Sequence, residues 1–221
     1  MPEPTLSAAV TPAPLAATIL KAVWLSILLG VLIQVLIVLA TTYNKDTIVQ
    51  ETVGKVTWSV LVCTAIAVGN TLAKMRPAVV GVIGFLAAPA AFVAAKAVQK
   101  SITQGNTTGP PVPSPVEISV VRALEYAVLG GVLAWMGQKA ARASVRNFAL
   151  VGLAVGFGFG GYLLYRFITR NEPTPKTPMI AARTINEVLF PIGCALVLWT
   201  AGHLGTALGH QPSHAVGARG A

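Results

Sequence analysis

Long apolar stretches recur along this chain, and each is long enough to cross a lipid bilayer. A membrane-spanning helix needs about 20 mostly apolar residues. By this criterion we predict six spans, at residues 18–41, 56–73, 77–97, 116–137, 147–170 and 179–208. Because hydrocarbon offers the backbone no hydrogen-bond partner, such stretches must form helices. The predicted fold class is therefore an all-α integral membrane protein with about six transmembrane helices.

The composition of the chain supports lipid as its solvent. Only 10% of the residues are charged and 54% are hydrophobic, whereas a soluble domain averages about 25% charged residues. Six spans leave no room in 221 residues for a separate soluble domain. We predict a disordered N-terminal tail at 1–17, a transmembrane domain at 18–208 and a C-terminal tail at 209–221. The N-terminus lacks the basic start of a secretory signal, so we expect the first span to be retained.

The net charge of +9 does not indicate nucleic-acid binding. Lys and Arg occur at the ends of the spans, where they suit lipid phosphates and orientation signals. No basic patch interleaved with aromatic residues appears, so we expect the bilayer, and not a nucleic acid, as partner. The basic residues divide almost evenly between the two sides. Because the loops after the second and fourth spans are short and free of acid, we favour cytoplasmic termini in a bacterial-type inner membrane.

The fifth span is unusually rich in glycine. Gly152, Gly156 and Gly160 recur every four residues and so share one helical face, with Gly158 and Gly161 between them. A row of this kind, a glycine zipper, lets another helix approach closely in a membrane. The pattern G-x-G-x-x-G over residues 156–161 does not indicate a dinucleotide site, because that fingerprint needs a strand before it and a soluble helix after it.

The second span is the predicted packing partner of this glycine row. Ala65, Gly69 and Ala73 repeat there at the same four-residue spacing. We therefore expect the second and fifth spans to pack together at the centre, within one chain or across a homo-oligomer.

Two halves of the chain resemble each other weakly. Lys21 corresponds to Arg122 at an offset of 101 residues, and Pro89 to Pro191 at an offset of 102. The pattern is consistent with two three-helix repeats, 14–100 and 115–208, in opposite orientations. Inverted repeats of this kind recur in secondary transporters. The alternative is six unrelated hydrophobic helices, because apolar segments align by chance.

Two pairs of charged residues lie inside predicted spans. Glu125 follows Arg122 by three residues in the fourth span, and Glu187 follows Arg183 by four in the sixth. A carboxylate at membrane depth is costly, and one that holds a proton suits a proton-coupled carrier. The alternative is a pair of local ion pairs near the interface. If the two spans pack together, the four residues form either a polar vestibule or an ion network between helices.

Other polar residues carry weaker indications. Gln34, Asn70 and Asn186 lie at membrane depth, where we expect hydrogen bonds between helices, with substrate contact as the alternative. Cys63 and Cys194 are expected as small buried apolar residues, with a disulfide or a metal pair as the alternative.

No motif in the sequence predicts an enzyme. His210 and His214 are separated by Gln211 and Pro212, which break a helix, so we expect no metal site and no cofactor. The expected function is a small transporter or channel-like protein for an ion or small solute. The alternative is a structural or assembly subunit of a larger membrane complex. A membrane-embedded enzyme ranks third, because the chain presents no visible acid, base and nucleophile.

Overall fold

The computed structural model describes residues 12–41, 48–72, 76–103, 114–139, 143–170 and 176–209. Almost all residues in these ranges are helical, and none of them forms a strand. A π-helical turn, Gly156–Gly160, joins α5 to α6 without a break. The helices are α1 (Pro12–Ala40), α2 (Ile48–Leu72), α3 (Pro77–Thr103), α4 (Pro115–Gly137), α5 (Val145–Val155), α6 (Gly161–Arg170) and α7 (Thr177–Gly209).

The helices form six segments that are long and apolar enough to cross a membrane, which confirms the predicted fold class. Helix α5, the π-helical turn and α6 together make one of these segments, Val145–Arg170, which we call the fifth span. Large apolar side chains such as Leu28, Leu39 and Leu86 are exposed on the outside of the bundle. In a bilayer this surface faces hydrocarbon, as expected for helices with no polar outer face.

Helix α2 begins at Ile48, about two turns before the predicted start of its span at residue 56. The extra turns contain polar residues that lie outside the predicted span. They are stabilised as helix by a Glu51–Lys55 ion pair of 3.1 Å at four-residue spacing. The Thr52 hydroxyl also donates to the Ile48 carbonyl at 2.6 Å. Helix α1 likewise begins at Pro12, within the predicted tail.

Local capping fixes the start of α4, the helix that carries Arg122 and Glu125. The Ser114 side chain accepts a hydrogen bond from the Glu117 backbone N–H at 3.2 Å, and Pro115 occupies the first helical position. Both are common helix-starting features, because the first N–H groups of a helix have no internal partner. These two features therefore fix the residue at which α4 begins.

The helices pack in a closed order. Helices α1 to α4 pack each on the next along the chain, and α7 closes the arrangement by packing on both α1 and the fifth span. Inside this ring α7 also makes slight contacts with α2 and α4. The fifth span meets α4 less than it meets α7, but more than α7 meets α4. Helices α2, α4 and α7 therefore come together in the interior, among buried residues such as Ile66, Leu129 and Phe190.

We predicted that the glycine row of the fifth span packs against α2. This prediction was wrong, because the row packs against α7. A Cβ atom added at Gly152 would lie 2.6 Å from Ile192 Cα, and one at Gly156 would lie 2.9 Å from the Val188 carbonyl oxygen. On α2, Gly69 instead faces Ile83 of α3. A short connection, residues 171–176, separates α7 from the fifth span, and such connections favour antiparallel packing of the two helices they join.

Candidate functional site

Two helices bring four charged side chains together in the interior. On α4, Arg122 and Glu125 are three residues apart and so lie on one face, and Arg183 and Glu187 on α7 are four apart. Because α4 and α7 meet inside the ring, the two pairs join. We call Arg122, Glu125, Arg183 and Glu187 the ion cluster.

The ion cluster is a chain of alternating charges. Arg122 Nη1 donates to Glu125 Oε2 at 2.5 Å, and Arg122 Nη2 donates to Glu187 Oε2 on the other helix. The second carboxylate oxygen of Glu187 pairs with Arg183 Nε at 3.1 Å. Two guanidinium groups and two carboxylates balance in formal charge. The arrangement is therefore the ion network between helices that the sequence analysis gave as one of two alternatives.

The central members of the ion cluster are removed from solvent. The exposed fraction is 0% for Glu125, 2% for Glu187 and 6% for Arg122. At 1.5 Å per residue, Glu125 and Glu187 each lie about 15 Å along their helices, which is about half the thickness of a bilayer core. Charges at this depth are costly unless paired, and in membrane proteins they commonly mark functional sites.

Aromatic side chains surround the two arginines. The Arg122 guanidinium carbon lies 5.6 Å from the ring centroid of Trp58 on α2, and Trp58 meets Tyr126 edge to face at 5.7 Å. The Arg183 guanidinium carbon lies 5.2 Å from the Phe167 ring on α6. Such contacts stabilise cations most where water is excluded. None of these three aromatic residues was predicted from the sequence, and only Tyr126 had a signal there, since it is one turn after Arg122.

The three predicted polar residues make no hydrogen bond to the ion cluster within the described part of the chain. Gln34 on α1 is buried, and neither of its side-chain amide atoms has a hydrogen-bond partner in the described part of the chain. Asn70 on α2 and Asn186 on α7 are half-buried. The predicted interhelical hydrogen bonds of the three residues therefore stay a prediction.

The two cysteines are neighbours. Cys63 on α2 and Cys194 on α7 are buried as free thiols, and they lie close enough to interact. Across the described ranges there is no group of three or more His, Cys, Asp or Glu side chains that could hold a metal ion. His210 and His214 lie outside those ranges.

A second polar group links α4 to α6 near the end of the membrane span. Glu117 Oε2 accepts from Arg166 Nη2 at 2.9 Å, and Glu117 Oε1 accepts from the Tyr162 hydroxyl at 3.0 Å. We call Glu117, Tyr162 and Arg166 the interfacial cluster. Helical periodicity could not predict it, because Glu117 lies more than 40 residues from Tyr162 and Arg166 and on a different helix.

The fold and the ion cluster together define a class, namely a six-span helical membrane protein with paired charges in its interior. No protein-family model, no curated protein and no solved structure matches the chain. Its function must therefore be argued from the ion cluster itself.

Proposed function

We propose that this protein is a small multi-pass membrane transporter or channel-like protein for an ion or small solute. The observation that carries the proposal is the ion cluster, with two carboxylates and a guanidinium almost fully buried at mid-membrane depth. A hydrophobic pair of similar volume would usually hold two helices at least as well. The cost of burying these charges therefore favours a use for them beyond packing.

The bonding of Arg122 suggests how a cation or proton would act at the ion cluster. Arg122 holds Glu125 on its own helix and Glu187 on α7 at the same time. Glu125 Oε1 has no hydrogen-bond partner among the residues that the structure describes, so it can accept a proton or a cation. Neutralising Glu125 would release Arg122 toward Glu187 and change the contact between α4 and α7. A change of charge would thus be coupled to a movement between helices.

The wider setting of the proposal follows the sequence analysis. The protein would act without catalytic chemistry, in a bacterial-type inner membrane with cytoplasmic termini, as a homo-oligomer or within a larger membrane complex. The weak correspondence of Lys21 with Arg122 and of Pro89 with Pro191 fits two inverted three-helix repeats. In transporters built from such repeats the binding site lies near the midplane between them, and the ion cluster lies at a similar depth.

A flux assay in proteoliposomes tests the proposal. The purified protein is reconstituted with an entrapped pH-sensitive dye, and uptake of protons and of a panel of ions and small solutes is followed after a gradient is imposed. We expect flux in the native protein and a loss of at least about tenfold in Glu125→Gln and Glu187→Gln, which is about 1.4 kcal/mol in a barrier. Glu51→Gln, the same chemical change in the first turn of α2, should keep native flux.

Two results would contradict the transport proposal. One is the absence of flux for every solute in the panel with correctly folded native protein. The other is native flux in both Glu125→Gln and Glu187→Gln, because the ion cluster would then be dispensable.

A structural or assembly subunit is the second candidate. The observation that favours it is the pairing within the ion cluster, since Arg122 already joins α4 to α7 through Glu187 without any substrate. Purification in a mild detergent separates the two candidates. A larger partner present in fixed stoichiometry supports the subunit, whereas a self-contained protein supports the transporter.

A further inference from the structure

A groove runs along the outside of the bundle between α4 and the π-helical turn of the fifth span. It encloses about 390 Å³ and is open at the outer surface. Its lining is almost entirely apolar and consists of Val121, Leu124, Gly158, Phe159 and Tyr162. Gly158 faces open space in the groove, because a Cβ atom added there would meet nothing within 4 Å.

One end of the groove is polar and basic. Tyr162 belongs both to the groove lining and to the interfacial cluster, where it meets Glu117 and Arg166. Arg166 Nε is buried and has no hydrogen-bond partner among the residues described. Arg170 ends α6 one turn further on. This end therefore carries two arginines against the single carboxylate of Glu117.

The basic end lies at the depth of lipid headgroups. Arg166 is four residues from the end of the fifth span, which is about 6 Å along the helix axis. Glu117 is in the first turn of α4. An apolar groove that ends beside Arg166 near the membrane surface, with Arg170 one turn beyond, matches the chemistry of a phospholipid. The acyl chain would fill the apolar part, and the planar guanidinium groups suit the phosphate.

We propose that this groove is a binding site for one phospholipid of the surrounding leaflet, with an acyl chain along Val121, Leu124 and Gly158 and its phosphate at Arg166. The site goes beyond the proposed function and does not depend on transport. It differs from general lipid contact in its requirement for open space at Gly158 and for positive charge at its end.

Native mass spectrometry of the full-length protein in a mild detergent tests the site. The protein is supplied with dioleoyl phosphatidylglycerol, and the number of retained lipids is counted for native protein, Gly158→Leu and Gly161→Leu. Both glycines have open space around an added Cβ atom, but only Gly158 lines the groove. We expect Gly158→Leu to lower the occupancy of one retained lipid about tenfold, equivalent to about 1.4 kcal/mol. Gly161→Leu should match the native protein, and Arg166→Gln should weaken retention.

Three outcomes would overturn the proposal. Equal retention in Gly158→Leu and native protein would show that the groove holds no lipid. Equal loss in both glycine variants would indicate the general lipid shell. Dissociation of an oligomer in Gly158→Leu would indicate that a second copy of the chain fills the groove. Val121→Trp fills the same groove from α4 and gives the same decision if Gly158→Leu does not fold.

Discussion

The fifth span has two neighbours, and it meets them in opposite ways. Toward α7 it presents Gly152, Gly156 and Gly160, and the backbone of α7 lies where their side chains would be. Toward α4 it leaves two open grooves, one at Gly158 and one at Leu150 and Val151. The three glycines that face α7 are therefore opposed by its backbone, whereas Gly158 on the side of α4 faces open space.

On the side of the open grooves, two polar links hold α4 in the ring. The polar link to α6 is the interfacial cluster, which is partly exposed near the end of the span. The deeper link passes behind the fifth span, where Arg122 bonds to Glu187 of α7. Helix α7 is therefore joined to the fifth span by close packing and to α4 by buried charge. Each kind of interface predicts a different response to mutation.

The largest effect is expected at the charged interface. Arg122→Met leaves Glu125 and Glu187 buried without their shared cation, and breaking a buried ion pair in this way costs about 3–5 kcal/mol. Unfolding of the purified protein by denaturing detergent should show this loss. Arg146→Met, on an exposed position of α5, should stay within about 0.5 kcal/mol of the native protein. If Arg122→Met lowers the free energy of unfolding no more than Arg146→Met does, the buried ion pair does not stabilise the contact between α4 and α7.

The closely packed interface should respond to a single methyl group. Gly152→Ala places a Cβ atom 2.6 Å from Ile192 Cα, and overpacking of this kind costs about 1–3 kcal/mol. In Gly161→Ala the new atom meets nothing within 4 Å, so the free energy of unfolding should change by less than about 0.5 kcal/mol. The same unfolding measurement compares the two. Equal effects would mean that glycine acts here through helix propensity and not through close approach.

The smallest effect is expected at the interfacial cluster. Glu117→Gln removes the charge partner of Arg166 at a partly exposed site, where ion pairs contribute about 0.2–1 kcal/mol. The difference from the native protein should shrink further in high salt, because exposed charges are screened. Unfolding at two ionic strengths measures it. A loss as large as that of Arg122→Met would mean that α4 is held mainly at the membrane surface.

The sequence allowed the spans and the local ion pairs to be predicted, because both depend on spacing along one helix. Hydropathy located six spans, and helical periodicity placed Arg122 beside Glu125 and Arg183 beside Glu187. The sequence predicted that the two pairs join only if the fourth and sixth spans pack together. It depends on α4 and α7 meeting in the interior, and nothing in the spacing of one helix determines which other helix lies against it.

The glycine row shows the same limit more sharply. Its spacing predicted the close approach of another helix, but the predicted partner, α2, was wrong. Small residues show where a helix can be approached closely, and they do not determine which helix approaches. The π-helical turn at Gly156–Gly160 was also missed. Trp58 gave no signal, since an aromatic residue inside an apolar span is common and its contact with Arg122 joins different helices.

A double-mutant cycle on Arg122 and Glu187 tests most directly whether a buried ion pair joins α4 to α7. The free energies of unfolding are measured for Arg122→Met, Glu187→Gln and the combined variant. If the two side chains bond as in the structure, the combined variant should be more stable than the sum of the single losses predicts, by about 1–3 kcal/mol. Losses that add to within about 0.5 kcal/mol would contradict the pairing on which the ion cluster depends.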